Sequence, residues 1–189
     1  MTFDLSKLAA ISAVQLMCVA LVAGQERVNP QADAMAHFSD RVASYLALQK
    51  KVEGKLPAQK TGSPEQIKAH VADLAAGIRA ARTDAKVGDI FNGASEQFRQ
   101  IIQQDAQNRS VRDAFAAMQE VPKHTPARVN ADYPETAALA TVPPLILNRL
   151  QRLPEGLEYR FMGRDLILRD SKANVIVDVL HEAVPTVGR

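Results

Sequence analysis

The chain of 189 residues holds a single cysteine, no tryptophan, and only three tyrosines and six phenylalanines. So few rings leave little with which to stack nucleic-acid bases or sugars. An excess of one charge is also missing. Twenty-three Lys and Arg stand against 21 Asp and Glu, a net +2, too small for non-specific binding to a phosphate backbone. No Gly-x-Ser-x-Gly and no His-Glu-x-x-His occurs, so neither a nucleophile elbow nor a zincin helix is encoded as a motif. Internal repeats and low-complexity segments are absent too. What is present is 47% hydrophobic and 23% charged residues, the balance of a globular protein.

The one long apolar run covers residues 8–24, seventeen residues without a charge. Lys7 and the terminal amine precede it, partly offset by Asp4, and Val22-Ala23-Gly24 puts small residues at its end. This is the pattern of a secretory signal peptide cleaved before Gln25. The alternatives are an uncleaved anchor, although the run is short of the ~20 residues that span a bilayer comfortably, or a buried N-terminal helix. Gln15-Leu16-Met17 ahead of Cys18 does not fit a lipoprotein site. Because Cys18 lies in this run, cleavage leaves a mature chain without cysteine, which excludes thiol catalysis, Cys-x-x-Cys redox chemistry and Cys-ligated zinc. About 165 remaining residues bury enough surface to fold without disulfides.

Residues 25–121 read as helical. Asn29-Pro30 is an N-cap followed by Pro at the first helical position, and Met35, Phe38, Val42, Tyr45 and Val52 form one stripe, ended by Gly54 and Pro57. Ser63 and Gln66 have capping-box spacing around Pro64, and Ile67, Val71, Leu74, Ile78, Ala81 and Ala85 continue at alternating four and three. The two helices are expected as an antiparallel hairpin. Residues 88–93 have two glycines but no following Lys or Thr and no preceding strand, so they read as a helix break rather than a phosphate loop. A third helix carries Phe98, Ile101 and Ile102. Asn108 and Ser110 restart a fourth with Val111, Phe115 and Met118.

Residues 122–144 hold five prolines and form a Pro-rich connector, extended and wrapped over the surface. Residues 145–189 follow as a short helix carrying Leu145, Leu147 and Leu150, and then a β-meander. Leu157, Tyr159 and Phe161 alternate with Glu158, Arg160 and Met162. Gly163-Arg164 suits a two-residue type II′ turn, which pairs Phe161 with Leu166, Tyr159 with Leu168, and Glu158 with Arg169. Asp170 to Asn174 makes a second turn, and Val175, Val177 and Val179 give a third strand. The expected fold class is α+β: mainly a helical bundle with a small C-terminal three-stranded antiparallel β-meander, packed together as one domain.

The run LPEGLEYRFMGRDLILRDSKANVIVDVL, residues 153–180, resembles the C-terminal signature of a group of uncharacterised exported bacterial proteins. Its LEYRFMGRDLILRD part, residues 157–170, carries the resemblance. The resemblance implies bacterial origin and export; it brings no activity and no site residues.

Candidate chemistry is sparse. His37 and Asp40, and His70 and Asp73, are matched pairs three apart that a hairpin can bring together as a two-His, two-carboxylate metal site. His37 lies off the apolar stripe, and the Glu-x-x-His pattern of bundle di-metal sites is absent, so exposed polar side chains are the expectation and no metal or cofactor is assigned. Asp165, Asp170 and Asp178 with Arg160, Arg164 and Arg169 are read as the solvated face of the meander. Arg160, Arg164 and Arg169 are the candidates for a protein-binding edge. Lys50, Lys51, Lys55 and Lys60 make a basic cluster around the first loop, accounted for by solvation or by contact with an acidic lipid or polymer.

The function expected is that of a non-catalytic binding protein of the cell envelope or secreted fraction, in the periplasm or outside the cell, or held at the inner membrane by residues 8–24. Its partner is a protein or envelope component, not nucleic acid, with membrane contact only through an uncleaved N-terminus. A small-ligand carrier and an enzyme with a dispersed site are the alternatives.

Overall fold

The first helix opens as its residue types require. Asn29 accepts a 3.1 Å hydrogen bond from Gln31 N–H through its side chain, Pro30 takes the first helical position, and α1 runs Pro30–Glu53. The computed structural model describes residues 29–57, 62–120, 126–134 and 142–186. The apolar run at residues 8–24, Lys60, the side chain of Met118 and the rest of the Pro-rich connector fall outside them. Among the described residues the chain continues as α2 (Pro64–Ala81), α3 (Ser95–Asp105), α4 (Arg109–Glu120), α5 (Pro144–Leu147), β1 (Leu157–Met162), β2 (Asp165–Asp170) and β3 (Val175–Leu180). The fold is α+β, with one antiparallel sheet in the order β1-β2-β3.

α1 and α2 form the expected antiparallel hairpin. Gly77 meets Val52 so closely that an added Cβ would come within 2.5 Å of its Cγ1. At the other end of the contact the Arg82 guanidinium stands 5.2 Å from the Tyr45 ring centroid. α1 therefore ends beside the C-terminal half of α2. Leu74, Ala75 and Ile78 are buried there, whereas Ile67, expected on the same buried stripe, is 44% exposed. Ser63 makes no side-chain cap either; its hydroxyl is engaged by Glu65 instead.

The helix layer is pinned by aromatic rings. Phe38, Phe91 and Phe98 meet with centroids 5.0–5.8 Å apart, Phe98 reaches Tyr159 of β1, and Phe115 of α4 stands edge-on to Phe161. Eight of the nine aromatic residues are thus buried, and the ninth, Phe3, lies outside the described residues.

The hairpin register matches the expectation residue for residue, Glu158 facing Arg169, Tyr159 facing Leu168 and Phe161 facing Leu166. Gly163 has φ +60° and Arg164 has no positive φ, as a type II′ turn demands.

The faces of the sheet differ from the expectation. Between Leu168 and Arg169 the β2–β3 register shifts, so Leu168 pairs with Asp178 while Arg169 pairs with Ile176, and Val177 is the extra residue. The bulge puts Val175, Val177 and Leu180 with the helices and turns Ile176 and Val179 to the far side. The far side is not solvated. Ala127, Val129 and Tyr133 of the connector cover Met162, Ile167, Ile176 and Val179 there. The connector also extends the ladder: Asn130 N–H donates to Ile176 O, Ile176 N–H to Ala131 O, and Tyr133 N–H to Asn174 O. The carbonyl of the bulged Val177 accepts from Arg82 Nη2 at 3.1 Å.

The two acids on the helix-facing side are consequently buried, which corrects their assignment to a solvated face. Asp170 Oδ2 accepts from Tyr45 Oη at 2.7 Å and Gln49 Nε2 at 2.6 Å, while Oδ1 accepts from the backbone of Lys172 and Ala173. Asp178 accepts from the backbone N–H groups of Gly88, Ile90, Phe91 and Val179 at 2.7–2.8 Å. The helix break at residues 88–93 is thus tied to the sheet by a carboxyl group, because its N–H groups have no helical partner.

Candidate functional site

The sequence candidates scatter. Val52 lies against Gly77, with His37 fifteen residues before the one and His70 seven residues before the other. In an antiparallel pair these offsets add, and a rise of 1.5 Å per residue separates the two histidines by about 33 Å along the hairpin. His37 faces Asp33 at 3.5 Å, both largely exposed, rather than Asp40. Among the described residues no three His, Cys, Asp or Glu side chains are placed to hold a metal ion.

The three arginines do not share one patch. Arg164, at the hairpin turn, donates to Val184 O at 3.0 Å and faces Glu182 at 3.5 Å. Arg169 donates to Glu158 at 2.6 Å and to Asn174, with its guanidinium 4.5 Å from the Tyr133 ring centroid. Arg160 donates to the other oxygen of Glu158 at 2.6 Å. Its Nε–H is buried without an acceptor, as is the Tyr133 hydroxyl. Burial raises the Glu158 pKa, but the bonds and charges of Arg160 and Arg169 outweigh it and hold the carboxyl below its ordinary range. The bond to Glu158 in turn raises Arg160.

Arg160 and Glu158 border an open groove of about 540 Å³ between β1 and the segment 142–153. Two proline residues, Pro143 and Pro144, start α5, and Pro154 follows the segment, so the helix is a single turn. One turn buries one side of itself. Ile146 and Leu150 enter the core, and Leu145 and Leu147 are each 48% exposed. Leu147 and half-buried Leu153 give the groove most of its apolar surface, beside the nearly buried Val142 and Leu157, and Arg152 joins Arg160 on its polar side. Tyr159 contributes little: it is 95% buried, burial raises its pKa, and its hydroxyl donates to Gln151 O at 3.0 Å. A second depression of about 420 Å³, bounded by α1, α3 and residues 149–151, is lined by the amides of Gln31, Gln97, Gln100, Gln104 and Gln151.

Chemically the groove can bind but is poorly equipped to react. Its described lining holds one carboxyl group, kept ionised between two guanidinium groups and so unsuited to give up a proton at neutral pH, and no Ser, Cys or His. Buried Asp178 is raised by desolvation against the pull of its four N–H donors, but it is spent on the helix break. Arg152 and Leu147 are not among the site candidates that the sequence offers. The signal was there in the spacing of Leu145, Leu147, Leu150 and Leu153 between prolines, more leucines than one helical turn can bury. Comparison of the chain with protein-family models, with curated proteins and with solved structures gives no match.

Proposed function

We propose that this is an exported, non-catalytic binding protein of the envelope or secreted fraction, whose partner face is the groove between β1 and residues 142–153. The observation that carries the reading is the pairing of half-exposed Leu147 with Arg152 and Arg160 around one open groove. An apolar surface left uncovered beside the exposed guanidinium of Arg152 is what a partner has to supply contacts for. A closed carrier cavity would need an enclosed apolar void, and an enzyme would need converging acids or histidines; the groove has neither. Export is supported by the small-residue end of the 8–24 run and by the likeness of the 157–170 segment to exported proteins.

The test is a photo-crosslinking residue placed at Leu147 in the producing cell, with Gln103 on the exposed side of α3 as control. A discrete adduct at 147, absent at 103 and lost with Arg152→Glu, is expected. Equal labelling at both positions, or none at 147, would overturn the reading.

A further inference from the structure

We infer that the ligand of this groove is an aliphatic monocarboxylate, an unbranched apolar chain ending in one carboxylate; the inference rests on the groove being the binding face. Positive charge exceeds negative on its polar side, Arg152 and Arg160 against Glu158. Glu158 is the one carboxylate there, and it is already shared between Arg160 and Arg169. Arg152 is the exposed guanidinium of the groove, with no acceptor among the described residues, whereas the acceptor-less Nε–H of Arg160 is buried and out of a ligand's reach. A carboxylate supplies both missing things, charge and paired acceptor oxygens, in the planar geometry a guanidinium matches.

The rest of the groove selects against other anions. Leu147 and half-buried Leu153 offer an aliphatic surface, beside the nearly buried Val142 and Leu157, and Leu147 is 48% exposed until something covers it. No ring face is open to stack a base, sugar or aromatic acid, since Tyr159 is 95% buried. A phosphate or sulfate has no chain to cover the leucines. The volume of about 540 Å³ falls within the range of roughly 300–1,000 Å³ that holds small organic ligands.

Calorimetric titration of the purified full chain with sodium decanoate, decan-1-ol and decyltrimethylammonium decides the matter, since the three share a chain and differ in the head. Decanoate is expected to saturate one site and to bind about tenfold or more tighter than either of the others, the size of one charge-assisted hydrogen bond. Arg152→Glu should remove that preference while leaving decanol unaffected, Leu147→Asp should weaken decanoate and decanol alike, and Arg128→Glu, exposed and outside the groove lining, should change nothing. All three positions are exposed, so the variants fold. Decanoate that fails to saturate, that is matched by decanol, or that ignores Arg152→Glu would overturn the inference. Should that happen while the crosslinker at 147 still captures a partner in an Arg152-dependent way, the partner is a macromolecule and the groove reading stands; failure of both removes the groove.

Discussion

The hydroxyl of Tyr45 donates a 2.7 Å hydrogen bond to Asp170 Oδ2, joining the middle of α1 to the end of β2 across 125 residues of chain. Both side chains are buried, Asp170 completely, and Gln49 one turn along α1 adds a second bond to the same oxygen. A carboxyl group at the sheet end thus fixes how α1 sits on the meander, a job that apolar contacts alone leave loosely specified.

Removing one side of this contact should cost unequal amounts. Tyr45→Phe deletes one donor and leaves Asp170 with three, so a loss of about 1–2 kcal/mol is expected. Asp170→Ala strands the Tyr45 hydroxyl and the Gln49 amide in the core and should cost about 3–5 kcal/mol. Urea denaturation of both variants and the double variant measures the coupling; independent, additive effects would mean that the contact does not join the layers.

Asp178→Asn should destabilise by about 2–4 kcal/mol although it is isosteric, because one acceptor oxygen becomes a donor facing backbone N–H groups. Amide hydrogen exchange should quicken first at Ile90 and Phe91, whose N–H groups lose their partner. Unchanged protection at those two amides would show that the break does not depend on the carboxyl.

In the hairpin, Phe161→Ala should cost about 3–5 kcal/mol, since the ring is 1% exposed and packs on Phe115. Gly163→Val, forced to φ near +60°, should cost about 1–3 kcal/mol. Glu158→Gln keeps its size and should cost about 1 kcal/mol. Denaturant midpoints give the order directly, and Glu158 ranking first would contradict the packing of β1.

The pH dependence of that last variant has a definite sign. The folded-state pKa of Glu158 lies below its ordinary 4.5, so its contribution is complete above that value and disappears as pH falls through the lower folded value. The gap in urea midpoint between the native chain and Glu158→Gln should therefore be widest at pH 6–7 and close towards pH 3. A gap that widens on acidification would show that the two arginines do not favour the ionised form.

The proposed export predicts a mass. Protein recovered from the envelope or medium should begin at Gln25, and intact-mass measurement reads this directly. Retention of residues 1–24 would replace the cleaved signal with an anchor.

The strongest sequence signals were local ones. The Asn29-Pro30 start, the stripe of Phe38, Val42 and Tyr45, and the β1–β2 register follow from contacts between residues close in the chain, where capping, periodicity and a Gly-led turn are sufficient physical causes. Asp170 was also within reach, since it alternates with Leu166 and Leu168 on the apolar face of β2. Asp178 was not. Its inward direction comes from a one-residue bulge opposite Leu168, whose extra carbonyl is stabilised by Arg82 from another layer.

By itself, then, the sequence determined the α+β division, the helical hairpin, the meander and its first register, because each is set by nearest neighbours along the chain. Only the tertiary structure decided which acids are buried, that the connector covers the second face of the sheet, and that Leu147, Arg152 and Arg160 border one groove. Those outcomes depend on which distant surfaces are left uncovered once the core has filled, and no local pattern carries that information.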